Sequence, residues 1–308
     1  MTKTMDSDLK KELQHLDGVA VEWDVTLAGH TSLRVGGPVS CLLRPLNLAG
    51  LRSTVQVLSQ NNYPYFILGR GTNLLVSDRG VQAAAISLVS GFGRIERLDY
   101  HGHVKVGAGV PLRRLLRFCL REGLSGLEFI AGIPGSVGGA LRMNAGTHAG
   151  TVADVCRKVL FLNADGSLAR LARSDLRFYY RKLDLPPAAV LLEVEFSLTP
   201  SSRAQVQDQI RTLLKHRKEK QPWQFPSAGS VFKNPPGDSA GRLIEAAGLK
   251  GVSVGDAQIS PKHANFIVNR GQARATDILA LVKLARDVVS QKFGVQLELE
   301  IEVIGNNI

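Results

Sequence analysis

Apolar positions recur with two periods along the chain, and each change of period marks an element. Residues 19–47, "VAVEWDVTLAGHTSLRVGGPVSCLLRPLN", alternate short apolar runs with turn residues, which predicts strands. Residues 48–62, "LAGLRSTVQVLSQNN", take up the helical period. "YPYFILGRGTNLLVS" (63–77) reads as a strand running into a glycine turn. "VQAAAISLVSG", "RIERLDYHG" and "HVKVGAGV" read as short strands punctuated by glycine. "PLRRLLRFCLREG" (111–123) is an amphipathic helix, with Pro111 suited to its first turn and Gly123 to a left-handed stop. "KVLFLNADGSLARL" (158–171) predicts a hairpin turning at Asp165 and Gly166, and "AVLLEVEFSLTP" (189–200) a further strand.

Past "TPSSRAQVQDQ" (199–209) the composition shifts. A long helix is predicted over 203–220, then a "GSVFK" strand, an "AGRLIEAAG" helix, an "ANFIVN" strand, an "ATDILALVKLARDVVSQKFG" helix and a closing "VQLELEIEVIG" strand. These place a boundary near residue 200, between a strand-rich α+β part (1–199) and a smaller α/β part (200–308). No internal repeat is visible.

Composition narrows the class. At 308 residues with 44% hydrophobic and 21% charged positions, the chain has the makeup of a globular protein with a substantial core, not a disordered one. The opening "MTKTMDSDLKKELQHLDG" lacks the apolar core of a signal peptide, and no run approaches the roughly 18 apolar residues of a membrane helix. Cys41, Cys119 and Cys156 are odd in number and far apart, which argues against a disulfide framework or a zinc site and suits a cytoplasmic setting. The net charge of +11 admits a nucleic acid, an acidic surface or a phosphorylated small molecule as partner. The basic residues form no long block and aromatics are only 6%, so a base-stacking platform is thinly supplied.

Two glycine-bearing turns, "LGRGTNLLVS" (68–77) and "AGIPGSVGG" (131–139), lack both the dinucleotide GxGxxG pattern and the P-loop lysine. They read either as tight turns packed on other backbone or as uncovered amides forming an anion-binding concavity. Ser230 in "GSVFKNP" is a polar strand position or a catalytic hydroxyl. Arg181 in "FYYRK" is a solvated surface residue or a carboxylate clamp. "LELEIEV" (297–303) puts Leu297, Leu299, Ile301 and Val303 on one face and Glu298, Glu300 and Glu302 on the other. That acidic face is solvated, or it lines a cleft where mutual repulsion would make one glutamate an acid. His263 in "PKHANFIVN" has no companions that complete a metal set, and no metal is expected.

Taken in order, "TSLRVGGP", "LGRGTNLLVSD", "FIAGIPGSVGGALRMNAG", "FYYRK", "PSAGSVFKNP", "KHANFIVN" and "LELEIEVIG" resemble the UDP-N-acetylenolpyruvoylglucosamine reductase family over about residues 20–305. The resemblance implies a vanillyl-alcohol-oxidase-type FAD-binding domain, 1–199, in two subdomains of roughly 20–88 and 89–199, and a substrate-binding domain, 200–308. It implies FAD as cofactor, cradled by Gly69, Arg70, Gly71, Thr72, Asn73 and Leu74 in one loop. The second loop would contribute Gly132, Ile133, Pro134, Gly135, Ser136, Gly138 and Gly139. NADPH is the implied co-substrate, reducing the enolpyruvyl ether of a nucleotide-sugar through the flavin. Ser230 matches the proton donor, and Arg181 and Glu300 match the pair that stabilises the enolic intermediate. Tyr180, Lys220 and Asn234 match substrate contacts, while Arg142 has no motif-level assignment.

Some members insert a tyrosine-bearing loop between the "YR" and "GS" motifs. Here residues 182–229 leave room for one strand and one helix, so the chain resembles the shorter form. A monomeric cytoplasmic enzyme without nucleic-acid or membrane partners is expected. Its rivals are an FAD oxidase of the same fold acting on another sugar or alcohol, and a basic nucleic-acid or scaffold protein that binds no flavin.

Overall fold

Contacts divide the chain, in a computed structural model that describes residues 5–305, into two units that each draw on separated stretches of sequence. The first takes the chain up to Trp23, Ser40–Gly69 and Gln82–Lys215. The second takes Asp24–Val39, Arg70–Val81 and the chain from His216 onward. This partition differs from a cut at residue 200, because two short N-terminal excursions join the C-terminal unit and most of helix Arg203–Lys220 stays with the first. Composition along the chain cannot reveal such an exchange, since it depends on which segments meet in space.

A five-stranded antiparallel sheet in the first unit has the order Leu168–Ala172, Cys156–Leu162, Val190–Ser197, His103–Gly107, Ile95–Arg97. In the other sheet of this unit Tyr65–Ile67 runs parallel to Val81–Ile86. Helix Leu48–Gln60 begins where Asn47 Oδ1 accepts the Gly50 N–H at 2.9 Å, and it buries Leu51, Val55 and Leu58 on one stripe. Helix Leu112–Glu122 buries Leu112, Leu115 and Cys119, follows Pro111 and stops at left-handed Gly123. The hairpin turn at Asp165 and Gly166 joins Cys156–Leu162 to Leu168–Ala172.

The second unit is organised around helix Ala275–Phe293, whose Ile278, Leu281, Val282, Ala285 and Val289 are buried. They share a core with Leu75, Phe232, Leu243, Ile244, Ile259 and Ile267. Glu302–Ile304 pairs in parallel with Leu74–Val76, and Ser253–Val254, Ala257–Ile259 and Ile267–Asn269 form a small antiparallel sheet. The long helix is capped from a distant loop. Asp78 accepts from the Ala275 N–H at 2.7 Å and from the Thr276 N–H and hydroxyl, each at 3.1 Å. An acidic group there meets unsatisfied donors at the positive end of the helix. Among the described residues no helix is long and apolar enough to cross a membrane.

Two expected strands are not regular. "GSVFK" makes a single bridge, Phe232 to Leu299, and the "LELEIEV" stretch becomes a strand only from Glu302. The burial alternation of that stretch survives at Leu297 and Ile301, which are buried, and at Glu298 and Glu302, which are exposed.

Removing the remote cap should cost about 1–2 kcal/mol. Asp78→Ala is therefore expected to lower the denaturant midpoint of the protein without changing its m-value, and an unchanged midpoint would show that solvent replaces the carboxylate freely.

Candidate active site

The glycine turns present backbone rather than side chains. In the first unit, the N–H groups of Gly69, Gly132 and Gly135 have no hydrogen-bond partner among the described residues. Gly132 takes φ +78°, which only glycine adopts without strain, and Ile133 and exposed Pro134 follow it. The loop is pinned from behind: Gly135 O accepts from Leu112 N, and the Val137 and Gly138 amides donate to Val110 and Ala108 carbonyls. Ser136 Oγ caps the next turn by accepting from Gly139 N at 3.3 Å. A Cβ on Gly69 would lie 2.9 Å from that same Oγ, so the ends of the two glycine motifs are neighbours. Half-buried open amides on a fixed loop fit the oxygens of a diphosphate without any side-chain cation.

The rest of the first glycine turn belongs to the second unit. The Arg70 and Gly71 amides likewise have no partner among the described residues. A Cβ on Gly71 would meet His30 O at 2.1 Å, which enforces glycine there. Thr72 and Asn73 are partly buried, and Leu74 opens the buried strand Leu74–Val76.

Tyr180 and Arg181 form the two-residue turn of a hairpin in which Tyr179 pairs with Lys182. Arg181 sits at φ +59°, where Asn or Gly is the unstrained choice, and its guanidinium lies 4.9 Å from the Tyr180 ring centroid. Tyr180 is exposed at 51%, and Arg181 is half-buried. Buried Asn144 anchors this turn by donating from Nδ2 to Tyr179 O at 3.1 Å and accepting from Ala153 N at 3.1 Å. Sequence reasoning passed over Asn144, although it stands inside the quoted "RMNAG". A polar amide amid apolar positions is the signal that would have found it.

In the second unit the segments that carry Ser230 and Glu300 are joined through their backbones. Glu300 N donates to Val231 O at 2.8 Å, and Glu300 O accepts from Asn73 Nδ2 at 3.1 Å. The segment carrying Ser230 is held by Asn265, whose side chain accepts from Phe232 N at 2.9 Å and donates to Phe232 O at 2.8 Å. One amide side chain thus takes up both backbone groups of Phe232, while the neighbouring Val231 and Lys233 amides donate to the Asn265 and Glu298 carbonyls. Asn265 was also missed. Of the three glutamates of "LELEIEV", Glu298 pairs with Lys233 at 3.2 Å and is exposed, Glu302 is exposed, and Glu300 is half-buried. Lys220 ends helix Arg203–Lys220 and is exposed. Asn234 Oδ1 accepts from Ala240 N at 3.1 Å and so caps helix Ala240–Ala246.

His263 stacks at 4.8 Å on Phe266, and its Nδ1 accepts from the Asn265 N–H at 3.3 Å. Burial, and then the nearby Lys250 charge, hold its pKa below the ordinary value. Cys41, Cys119 and Cys156 are buried thiols; burial pushes Cys119 and Cys156 up to about 12, which leaves them unreactive. Among the described residues no cluster of His, Cys, Asp and Glu could hold a metal ion.

Two stretches match known families: residues 39–172 the FAD binding domain, and residues 221–304 the UDP-N-acetylenolpyruvoylglucosamine reductase C-terminal domain. UDP-N-acetylenolpyruvoylglucosamine reductase of Syntrophobacter fumaroxidans is 46% identical over 95% of this chain and 86% of its own length. Reductase 1 of Bacillus anthracis is 42% identical over 92% of this chain and 94% of its own. The crystal structure of the Thermus caldophilus enzyme superposes with a TM-score of 0.81 at 42% identity, covering 93% of this chain and 100% of that one. A berberine bridge enzyme variant in complex with (S)-reticuline reaches 0.50 at 15% identity over 65% of this chain and 45% of its own, which shows a shared fold alone.

Neutral His263 has a sign to test. Its folded-state pKa lies below the unfolded value, so the unfolded chain takes the proton first and stability is lost as pH falls below about 6.5. The midpoint difference between wild type and His263→Gln is expected to move against wild type between about pH 7.5 and 5.5. A constant difference across that range would place His263 in solvent.

Proposed function

The chain belongs to the UDP-N-acetylenolpyruvoylglucosamine reductase family, and we propose that it reduces UDP-N-acetylenolpyruvoylglucosamine to UDP-N-acetylmuramate, a peptidoglycan precursor, at the expense of NADPH. It is an FAD-dependent oxidoreductase. FAD, when bound, would supply the hydride chemistry between NADPH and the β-carbon of the enolpyruvyl ether. The backbone of Gly69–Asn73 and Gly132–Gly139 holds the FAD diphosphate, a role supported by the open amides and by Gly69 lying against Ser136.

The junction at Val231 supports this reading, because the Glu300 N–H donates to the carbonyl of the residue that follows Ser230, which joins the two segments through their backbones. Hydride addition at the β-carbon leaves negative charge shared between the α-carbon and its carboxylate. That carbon is basic enough to take a proton from a serine, so Ser230 delivers H⁺ from Oγ and recovers it from solvent. Glu300 in its acid form donates a hydrogen bond to the charged carboxylate, and Arg181 meets it with a fork of donors. Preorganised donors at a developing charge act in the transition state, where their effect appears in kcat.

Lys220, Asn234 and Tyr180 hold the nucleotide-sugar. Between the Arg181 hairpin and Ser230 the chain supplies strand Val190–Ser197 and helix Arg203–Lys220, in keeping with the short form of the family. The reaction takes place in the cytoplasm on a monomer, without nucleic-acid or membrane partners.

Two variants separate the roles. Ser230→Ala is expected to keep its yellow colour and its bleaching by NADPH, while kcat falls about 10²–10⁴-fold with KM little changed. Normal turnover would remove Ser230 from the proton step. Gly69→Ala places a methyl against Ser136 Oγ and should lose FAD on desalting, read as the flavin-to-protein absorbance ratio. Full retention would take this turn out of the cofactor cradle.

A further inference from the structure

Among the described residues six other than glycine adopt a positive φ, and two of them are arginines, Arg34 (+56°) and Arg181 (+59°). Left-handed backbone disfavours any residue with a Cβ, and Gly or Asn is the unstrained choice. Such a conformation persists where the surroundings over-determine it, and strained positions gather at binding sites. Arg34 lies in "TSLRVGGP", a motif to which no role has been attached so far.

The surroundings of Arg34 are over-determined. Arg34 N donates to Thr31 O, and Thr31 Oγ1 donates to Val35 O at 2.7 Å. Leu33 and Val35, on either side, are buried in the core of the second unit. Asn269 Nδ2, itself 3% exposed, donates to Leu33 O at 3.0 Å. Ser32 ties the strap to two functional segments: its N–H donates to Gly71 O at 3.0 Å and its Oγ to Ser227 O at 2.7 Å. All of these groups belong to one unit.

The strap therefore joins the open-amide turn at Gly71 to the segment leading into Ser230. At its apex it holds an exposed guanidinium that makes no ion pair or hydrogen bond with the described residues. A turn needing only its geometry would be served better by glycine, which this chain uses 31 times. The arginine is retained against its backbone preference, so the side chain has the task.

We infer that Arg34 is an anion-binding residue that takes a phosphate group of a nucleotide bound beside the Gly71 and Ser227 segments. The planar guanidinium fork matches phosphate oxygens, and a pre-set backbone lowers the entropy lost in forming that contact. The inference rests on the proposed reductase reading for its choice of nucleotides. Three carry the required group: FAD, NADPH with its 2′-phosphate, and the UDP-sugar.

The test uses the FAD-loaded full chain and its Arg34→Gly and Arg34→Lys variants. Glycine accepts the left-handed backbone, so Arg34→Gly removes the charge while its melting temperature holds or rises. Binding constants are measured for UDP against uridine and for NADP⁺ against NAD⁺, and FAD retention is followed on dialysis. One ligand of a pair is expected to bind Arg34→Gly about tenfold more weakly, while its counterpart without that phosphate (uridine, or NAD⁺, which lacks only the 2′-phosphate) is unchanged and Arg34→Lys restores most of the loss. The affected pair identifies the phosphate; faster FAD loss alone assigns it to the cofactor. Wild-type binding of all three by Arg34→Gly overturns the inference. A wild-type protein that binds these ligands yet fails to turn over the enolpyruvyl nucleotide would instead sink the reductase reading and leave Arg34 in place.

Discussion

Glu300 is held by its own peptide groups on both sides, its N–H on Val231 and its carbonyl on Asn73. Its two peptide groups thereby tie the Ser230 segment to the Gly71 turn, a link that Ser32 makes a second time through Gly71 O and Ser227 O. The chain changes partner at this point: Leu299 bridges to Phe232, and Glu302 onward pairs with Leu74–Val76. A regular ladder would spend those peptide groups on one neighbour. The switch leaves the glutamate at a corner, half-buried between exposed Glu298 and exposed Glu302. Asn265 and Asn73 make the corner affordable by supplying, from side chains, the hydrogen bonds that a continuous sheet would supply from backbone.

A similar exchange operates in the first unit. The two-residue turn at Tyr180 and Arg181 lacks the glycine or asparagine its geometry favours, and buried Asn144 clamps the strand that leads into it. Buried amides of this kind cost stability when unpaired and rigidify when satisfied. Their partners here are all main-chain groups, so what they fix is the path of the chain, and through it the direction in which a functional side chain leaves the surface. Asn144, Asn265 and Asn269 each act in this way.

Locally determined elements were legible in the sequence. Helices Leu48–Gln60, Leu112–Glu122, Arg203–Lys220 and Ala275–Phe293 announce themselves by apolar stripe, cap or breaker, as does the hairpin at Asp165 and Gly166. Of the candidate site, the roles given to Ser230, Arg181 and Glu300 rest on motif resemblance, because nothing in the spacing of residues 181, 230 and 300 says that they act together. The illegible parts depend on distant partners. "GSVFK" and "LELEIEV" have strand-like patterns, but their hydrogen bonds go to Asn265, Val231 and Asn73, which no period encodes. The exchange of Asp24–Val39 and Arg70–Val81 into the second unit is equally non-local. Asp78, a loop residue by pattern, caps a helix that begins almost two hundred residues later, at Ala275.

The charge of the chain and the poverty of charge in its glycine turns answer different needs. A net +11 creates a long-range field that draws polyanionic nucleotides toward the protein, and salt weakens it over about 10 Å. Such a field cannot orient a diphosphate, because mobile lysine and arginine side chains follow the anion wherever it sits. Main-chain amides on a pinned loop do the opposite: they attract weakly at distance and fix geometry at contact. Hydride transfer tolerates little misplacement of the reacting atoms, so the reaction gains more from fixed amides around the cofactor than from additional cations. A guanidinium on a clamped, left-handed backbone lies between these extremes, since it carries full charge yet keeps little freedom at its root. That intermediate character is what a site needs where a charged ligand must be both captured and released.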